Sequence, residues 1–204
     1  GDFYEMFFDD AKVVSKELEL TLTGKSCGAE ERAPMCGIPY HAAETYLTRL
    51  VKKGYKVAIC EQVEDPKLAK GMVKREVTRV VTPGTTLNAQ ALDETKNNYI
   101  MCIAYIGDHY GISSADITTG DYYVTEVDSE RKLLDEVNKY QPTEIICNEA
   151  FYISGIDIDD MKNRMGIVIY SLDAWYFSDE TAQMTLKDHF KVRDLEGLGL
   201  ADYD

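Results

Sequence analysis

Apolar and polar residues alternate at the start of the chain in a pattern typical of a β-strand. Residues 3–8 are rich in aromatic side chains, and a single carboxylate, Glu5, lies two residues after Phe3. In an extended backbone, Phe3 and Glu5 project to one face while Tyr4 and Met6 project to the other. Two interpretations remain open: a first core strand with Glu5 at its edge, or an apolar wedge beside a hydrogen-bond acceptor.

The rest of the first 84 residues predicts a small mixed α/β domain. Ala11, Val14 and Leu18 recur at three- and four-residue spacing, which predicts a helix capped by Asp9 or Asp10. The further predicted elements are a short strand at 20–23, a turn or distorted edge strand at 35–40, a helix at 42–53, a buried strand at 55–60 and a strand at 73–81.

The last part of the chain has the element order of a ribonuclease-H-like domain. Strands predicted at 99–106, 110–117 and 121–127 are joined by short turns, as in an antiparallel meander. A helix capped by Asp128 or Ser129 then ends before Pro142. Strands at 144–147 and 166–171 and helices at 157–164 and 179–190 complete the predicted domain.

A break after Pro83-Gly84 separates the two parts. Residues 85–97 are polar and have little periodicity, which predicts a linker. The predicted organisation is therefore a domain at 1–84, a linker at 85–97 and a second domain at 98–204. The predicted fold class is α/β with two domains, a small mixed α/β domain followed by a ribonuclease-H-like α/β domain.

The net negative charge of the chain comes from the second part. Residues 1–84 contain 13 Lys and Arg against 13 Asp and Glu, so the remaining 9 and 23 give the whole net charge of −14. Only the first part could lie against phosphates, and it would need a local basic patch to do so.

The composition also limits where the protein works. No apolar run approaches the roughly 20 residues that a membrane-spanning helix needs. The five cysteines show no C-x-x-C spacing and are typical of a reducing cytoplasm. Because the chain has no initiator Met and no signal peptide, we expect a cytoplasmic fragment of a longer protein.

Two groups of positive residues are candidates for phosphate contacts. Gly24-Lys25-Ser26 is similar to the end of a phosphate-binding loop, but that motif requires a glycine where Glu19 stands, so we interpret Lys25 as an ordinary loop lysine. The one cationic cluster consists of Lys67, Lys70, Lys74, Arg75 and Arg79. A charged strand edge would explain this cluster as well as a nucleic-acid contact would.

A ribonuclease-H-like order raises the alternative of a two-metal nuclease in the second domain. Asp116 and Asp121 are available on its second and third strands. Such a site needs several converging carboxylates, one of them on the first strand. The first strand, 99–106, has none, so the element order alone does not supply an active site.

Six stretches, in order along nearly the whole chain, are similar to one known family. They are GDFYEMF at 1–7, PMCGIPYHA at 34–42, VAICEQ at 57–62, RVVTPGT at 79–85, ADITTG at 115–120 and LEGLGL at 195–200. Together they resemble the bacterial DNA mismatch repair family MutS, whose mismatch-reading motif is Phe-x-Glu. The resemblance implies a mismatch recognition domain followed by a connector domain.

The resemblance also implies roles for individual residues. Phe3 would wedge into the minor groove and stack on a mispaired base, and Glu5 would accept a hydrogen bond from that base. A mismatched step is easier to unstack and kink than a paired one, so a wedge can detect it. The possible groove or phosphate contacts are Met35, Lys74, Arg75 and Arg79.

For the remaining functions, the resemblance implies that other parts of the protein are needed. The family is a DNA-dependent ATPase that works as a dimer, and its ATP, Mg²⁺ and dimer contacts belong to domains outside this chain. We therefore expect no enzyme activity, no catalytic or metal residue and no cofactor here, and weak DNA binding by a monomeric fragment. The connector domain would relay to the ATPase domains and contact a MutL-type partner. A fragment used only for protein interactions is a further alternative.

Overall fold

The computed structural model describes residues 3–28, 31–200 and 203, and contacts between residues divide the chain into two units, Gly1–Thr95 and Lys96–Asp204. Residues 85–95 of the predicted linker belong to the first unit. In this stretch the Asn88 side-chain amide donates to the Thr48 hydroxyl at 2.9 Å. Among the described residues, no helix is both long and apolar enough to cross a membrane.

The first unit is built from two separate sheets and two α-helices. The strands are β1 (Phe3–Phe7), β2 (Thr23–Lys25), β3 (Ala33–Pro39), β4 (Val57–Gln62) and β5 (Arg75–Val81), and the helices are α1 (Phe8–Glu17) and α2 (Ala43–Lys52). A short 3₁₀ turn, Tyr40–Ala42, precedes α2. One antiparallel sheet has the order β1-β3-β2, and β4 and β5 pair separately as an antiparallel ribbon.

The core of the first unit lies where α1 covers one face of the three-stranded sheet. Its buried members are Ala11, Val14, Leu18, Cys36 and Leu50. The predicted helical spacing of Ala11, Val14 and Leu18 is therefore confirmed, with Leu18 as the C-cap of α1. Asp9 and Asp10 do not cap the helix, because α1 begins one residue earlier, at Phe8, and both carboxylates lie in its first turn. There they still interact favourably with the helix dipole.

The strand predicted at 20–23 is observed three residues later, at Thr23–Lys25, and the end of α1 explains why. Glu19 has a left-handed backbone with φ 58°, and the Leu20 N–H donates to the Ser15 carbonyl at 2.8 Å. This is the pairing of a Schellman helix end, in which an apolar residue just past the helix packs back on it. Leu20 therefore packs against the core of α1, and β2 starts only at Thr23.

β3 is the central strand of its sheet, although the sequence predicts a turn or an edge strand there. The prediction rested on Gly37 and Pro39, which weaken most strands. Pro39 is the last residue of β3, and Gly37 lies opposite Glu5 in the β1–β3 register. Neither residue interrupts the pairing of β3 with its two neighbours.

The second unit is a single five-stranded sheet with helices. Its strands are β6 (Tyr99–Ile106), β7 (His109–Asp116), β8 (Asp121–Val127), β9 (Glu144–Cys147) and β10 (Val168–Ser171). Its helices are α3 (Glu130–Tyr140), α4 (Glu149–Tyr152), α5 (Ile158–Arg164) and α6 (Asp179–Phe190). Two 3₁₀ turns, Ala174–Phe177 and Glu196–Leu198, are also present.

The strand order of this sheet confirms the predicted ribonuclease-H-like α/β fold. The order is β10-β9-β6-β7-β8, with β6, β7 and β8 antiparallel and β9 and β10 parallel to β6. The largest fully buried apolar side chains are Phe151, Met101, Ile103, Leu133, Ile145 and Met161. Phe151 belongs to α4, which the sequence analysis missed because it is only one turn long; Asn148 caps it by accepting from the Phe151 N–H.

Candidate nucleic-acid interface

The side chains of β1 alternate between an exposed and a partly buried face. Phe3 is 60% exposed, and Glu5 is exposed beside it. Tyr4 and Met6 are partly buried on the opposite side, where Met6 packs against the core. The predicted phase of the strand is thus present, with the wedge candidate and the carboxylate side by side on the accessible surface.

Pairing across the sheet extends this surface over β3 and β2. Antiparallel partners share a face, and in the registers Gly37 lies opposite Glu5 while Met35 lies opposite both Phe7 and Thr23. The intervening residues of β3, Cys36 and Ile38, are buried. We call the accessible side of the sheet the open face; it includes Phe3, Glu5, Phe7, Lys25, Met35 and Gly37.

Lys25 is ion-paired with Glu5. The Lys25 ammonium lies 2.5 Å from Glu5 Oε2 and 5.5 Å from the centre of the Phe7 ring. Lys25 is the last residue of β2 rather than part of a loop. Local sequence pattern does not reveal this partner, because the contact exists only when the two strands that flank β3 are both aligned with it.

Gly37 leaves an opening between the two residues of the Phe-x-Glu motif. A Cβ atom placed on Gly37 would lie 3.6 Å from Phe3 Cδ1, 4.0 Å from Glu5 Cγ and 3.3 Å from the Tyr4 carbonyl oxygen. Because the glycine has no side chain, a space of about the size of a methyl group remains beside the ring and the carboxylate.

The opposite side of β1 is fixed to the β4–β5 ribbon. The Tyr4 hydroxyl donates to the Glu61 carboxylate on β4, and the Tyr4 ring stacks on Tyr40 with 5.5 Å between centroids. The hydrogen bond to Glu61, followed by burial, raises the pKa of Tyr4 to about 12. Tyr4, the residue between Phe3 and Glu5, is therefore held by contacts on the opposite side of β1.

A cavity of about 870 Å³ brings part of the predicted site together. Its lining includes Phe3, Glu5, Lys25 and Arg75. Arg75 donates from Nη1 to the Val73 carbonyl at 3.4 Å, and no ion pair involves its guanidinium among the residues that the structure describes. Arg75 is thus the member of the basic cluster that lines the same cavity as the Phe-x-Glu motif, and this cavity extends to both sides of β1.

Two other predicted basic residues are already paired with carboxylates. The Lys74 ammonium lies 2.5 Å from Glu76 Oε1. Arg79 lies 3.3 Å from Glu44 and lines a second cavity of about 580 Å³ with Asn88. Neither residue lines the first cavity. A phosphate that binds either residue would have to displace its carboxylate partner.

In the second unit, Asp116 is a buried carboxylate that accepts several hydrogen bonds. It is 1% exposed, and its carboxylate accepts from the Thr118 N–H and hydroxyl, the Asn97 side-chain amide and the Asn98 N–H. Burial raises the pKa of Asp116, but these hydrogen bonds outweigh it and lower the pKa overall. Its partner in the β7–β8 register, Asp121, accepts from Thr119.

These contacts give the nuclease alternative no support. Both oxygens of Asp116 are engaged by donors of its own unit. Over residues 3–28, 31–200 and 203, no group of three or more His, Cys, Asp or Glu side chains is arranged to hold a metal ion. Asp116 is therefore a structural carboxylate, whereas Asp121 makes an exposed contact with Thr119.

Comparison with known proteins agrees with the two-unit architecture. Residues 1–90 match the family model described as MutS domain I, and residues 98–204 match MutS domain II. The chain belongs to the MutS family. The family resemblance that was inferred from the ordered sequence stretches is thereby confirmed.

Individual MutS relatives cover this chain from end to end. It is 66% identical over 203 residues to a protein of Lachnoclostridium phytofermentans named DNA mismatch repair protein MutS, covering 100% of this chain and 22% of that protein. A protein of the same name from Ruminiclostridium cellulolyticum is 51% identical over 207 residues, covering 100% of this chain and 23% of that protein. The chain thus spans less than a quarter of these MutS proteins.

Proposed function

We propose that the first unit recognises mispaired or unpaired bases in duplex DNA. Membership of the mismatch repair family supports a DNA-repair role. The observation that carries the finer proposal is the placement of Phe3 and Glu5 together on the open face, with the ring 60% exposed. In this proposal Phe3 wedges into the minor groove and stacks on the mispaired base, and Glu5 accepts a hydrogen bond from it.

Phe3 and Glu5 contribute to mismatch recognition in different ways. An apolar wedge selects base steps that unstack easily, because the cost of kinking DNA depends on its sequence and pairing. A carboxylate beside DNA is repelled by the phosphates unless a base N–H reaches it, so Glu5 disfavours sites that offer no such donor. Gly37 supports this arrangement because its missing side chain leaves a space of about the size of a methyl group beside them, and an atom of the base edge is proposed to enter that space.

The cations of the first unit fit sequence-independent contacts. Arg75 lines the same cavity as Phe3 and Glu5 and is proposed to contact the groove or a phosphate. Met35 lies on the open face and is proposed to contact the groove. Lys74 and Arg79 are proposed to bind phosphates by exchanging their present carboxylate partners.

The second unit is proposed to act as a connector and not as an enzyme. Its carboxylate-rich composition does not favour close contact with DNA. We propose that it relays between the recognition unit and other parts of the protein and contacts a MutL-type partner. ATP, Mg²⁺ and the homodimer contacts are proposed to belong to sequence outside these 204 residues, and the whole protein to work in the cytoplasm.

The proposal can be tested in a full-length protein. The chain is grafted in place of the 203 aligned residues of the Lachnoclostridium phytofermentans relative. Affinities for a duplex with one G·T mismatch and for the matched duplex are measured by fluorescence anisotropy. Phe3→Ala is compared with Phe8→Ala, because the two rings are similarly exposed, at 60% and 62%.

The expected result is specific to the mismatched duplex. Stacking of a base on an aromatic ring contributes about 1–3 kcal/mol, so Phe3→Ala should lower mismatch affinity by about fivefold to about 150-fold. Phe8→Ala should leave it unchanged, and Glu5→Gln should reduce discrimination. Equal effects of the two Phe substitutions, or none from Phe3→Ala, would exclude the wedge role.

A further inference from the structure

We propose that Lys25 is a positioning residue for Glu5: it holds and charge-balances the carboxylate so that Glu5 can read a base beside the phosphates. This inference rests on the proposed function and adds a residue to it. Lys25 lies on β2, at the far side of the sheet from β1, and its ammonium reaches Glu5 Oε2 at 2.5 Å across the open face. The contact joins the two outer strands.

The geometry leaves one oxygen of Glu5 available. Lys25 bonds Oε2, and no hydrogen bond among the described residues reaches Oε1. Lys25 itself is restrained at two further points, by pairing of its backbone opposite Ala33 on β3 and by the Phe7 ring 5.5 Å from its ammonium. A carboxylate held by one oxygen can present the other in a defined direction to a base N–H.

The pair is poorly explained as a stability device. Both side chains are partly exposed, at 51% for Lys25 and 35% for Glu5, and ion pairs of this kind stabilise folded proteins little. The electrostatic situation changes when a duplex approaches, because each phosphate adds a negative charge near an already negative Glu5. A cation fixed on the carboxylate lowers that repulsion at the place where it would be greatest.

A simpler role, in which Lys25 binds a phosphate directly, predicts different behaviour. A phosphate-binding lysine would strengthen binding to matched and mismatched duplexes about equally and would not depend on Glu5. A lysine that acts through Glu5 matters only while position 5 carries a charge. The two roles are therefore separated by combining substitutions at both positions.

The experiment is a double-mutant cycle in the full-length graft described above. Lys25→Met, Lys25→Arg, Glu5→Gln and the double variant Lys25→Met/Glu5→Gln are compared for mismatched and matched duplex. Lys12→Met is the matched control, because Lys12 is 55% exposed and also pairs with a carboxylate, Asp9, at 2.9 Å, but on α1. Thermal unfolding by circular dichroism verifies that each variant is folded, and Lys25→Gln replaces Lys25→Met if the latter is not.

The expected pattern is a coupled loss. Lys25→Met should weaken binding to the mismatched duplex about tenfold more than binding to the matched duplex. Lys25→Arg should keep the mismatch affinity of the parent, and Lys12→Met should change the affinity for neither duplex. In the Glu5→Gln background, Lys25→Met should have no further effect on mismatch binding. An equal Lys25→Met effect in both backgrounds would overturn the positioning role while leaving the proposed function intact. Unchanged discrimination in Phe3→Ala and Glu5→Gln would overturn both.

Discussion

The Tyr4 hydroxyl donates a hydrogen bond to the Glu61 carboxylate and thereby ties β1 to β4. These strands belong to different sheets of the first unit. Tyr4 lies between the two residues of the Phe-x-Glu motif but points to the opposite side of the strand. The bond therefore fixes the backbone that carries Phe3 and Glu5 without occupying the open face.

Loss of this bond should destabilise the first unit in a pH-dependent way. At neutral pH, Tyr4→Phe should lower the free energy of unfolding by about 1 kcal/mol. The pKa of Tyr4 rises from 10.0 to about 12 on folding, so its contribution is complete below pH 10 and is lost as the pH rises towards 12. Urea unfolding followed at increasing alkaline pH should show the two proteins converging.

Tyr40→Phe is the control for this experiment. It keeps the ring that stacks on Tyr4 and removes only a hydroxyl of a residue that is exposed. Its stability difference from the parent should be small at neutral pH. A difference between Tyr4→Phe and the parent that stayed constant through pH 12 would contradict the assignment.

Filling the opening at Gly37 should affect binding more than stability. In Gly37→Ala the new methyl lies 3.3 Å from the Tyr4 carbonyl oxygen, a tight contact that offsets the roughly 0.5–1 kcal/mol gained by replacing a strand glycine. We expect the free energy of unfolding to change by less than about 1 kcal/mol, and mismatch affinity to fall several-fold.

Gly111→Ala provides the matched control for Gly37→Ala. Gly111 is also a strand glycine, in β7, and the nearest atom to its added Cβ is the Ala104 carbonyl oxygen at 3.9 Å. This substitution should leave mismatch affinity unchanged. Both quantities are measured on the same full-length graft, by anisotropy and by chemical unfolding. Equal binding losses for the two glycines would show that the space between Phe3 and Glu5 is not used.

Asp116→Asn should strongly destabilise the second unit. The substitution turns one carboxylate oxygen into an amide nitrogen, whose N–H groups would face the donors that now bind that oxygen. Those donors come either from Thr118 or from Asn97 and Asn98. Leaving buried donors unsatisfied costs several kcal/mol in total, and we expect a loss of about 2–4 kcal/mol in urea unfolding. Asp121→Asn, which changes a carboxylate with an exposed contact to Thr119, should lose less than about 0.5 kcal/mol.

The Asp116 carboxylate should also make the stability of the second unit sensitive to acid. Because the pKa of Asp116 is lowered on folding, its stabilisation is present above the pKa of the unfolded chain and is lost as the pH falls through the folded value. The parent should therefore lose stability on acidification more steeply than Asp116→Asn. Parallel acid unfolding curves for the two proteins would contradict this assignment.

Gln141→Gly should stabilise the second unit. Gln141 ends α3 with a left-handed backbone, φ 47° and ψ 57°, which a side chain disfavours and a following proline restricts further. Glycine adopts this conformation freely and keeps the N–H bond to Val137, so a gain of about 0.5–1 kcal/mol is expected. Gln141→Ala retains a Cβ and should show no gain when the two variants are compared by thermal unfolding.

Local pattern predicted most of the second unit because each of its strands carries its own alternation. The strands predicted at 99–106 and 121–127 are observed as Tyr99–Ile106 and Asp121–Val127. In the first unit, the end of α1 depends on the backbone angle of Glu19, and the central place of β3 depends on distant partners. Neither property is visible in local apolar spacing.

The same difference separates the parts of the candidate site. The shared face of Phe3 and Glu5 follows from the two-residue period of one strand and could be predicted. The contact of Lys25 with Glu5 crosses β3 and requires the registers of three strands at once. The opening at Gly37 likewise exists only because β1 and β3 are paired with this register.

The alternation along β3 has a consequence for insertions and deletions. Cys36 and Ile38 point into the core, while Met35 and Gly37 lie on the open face. A one-residue insertion inside Ala33–Pro39 would exchange the two sets beyond the insertion, so that folding and recognition would fail together. An added residue between β2 and β3 leaves that alternation unchanged. Length variation in this unit should therefore be tolerated between its strands and excluded from its central one.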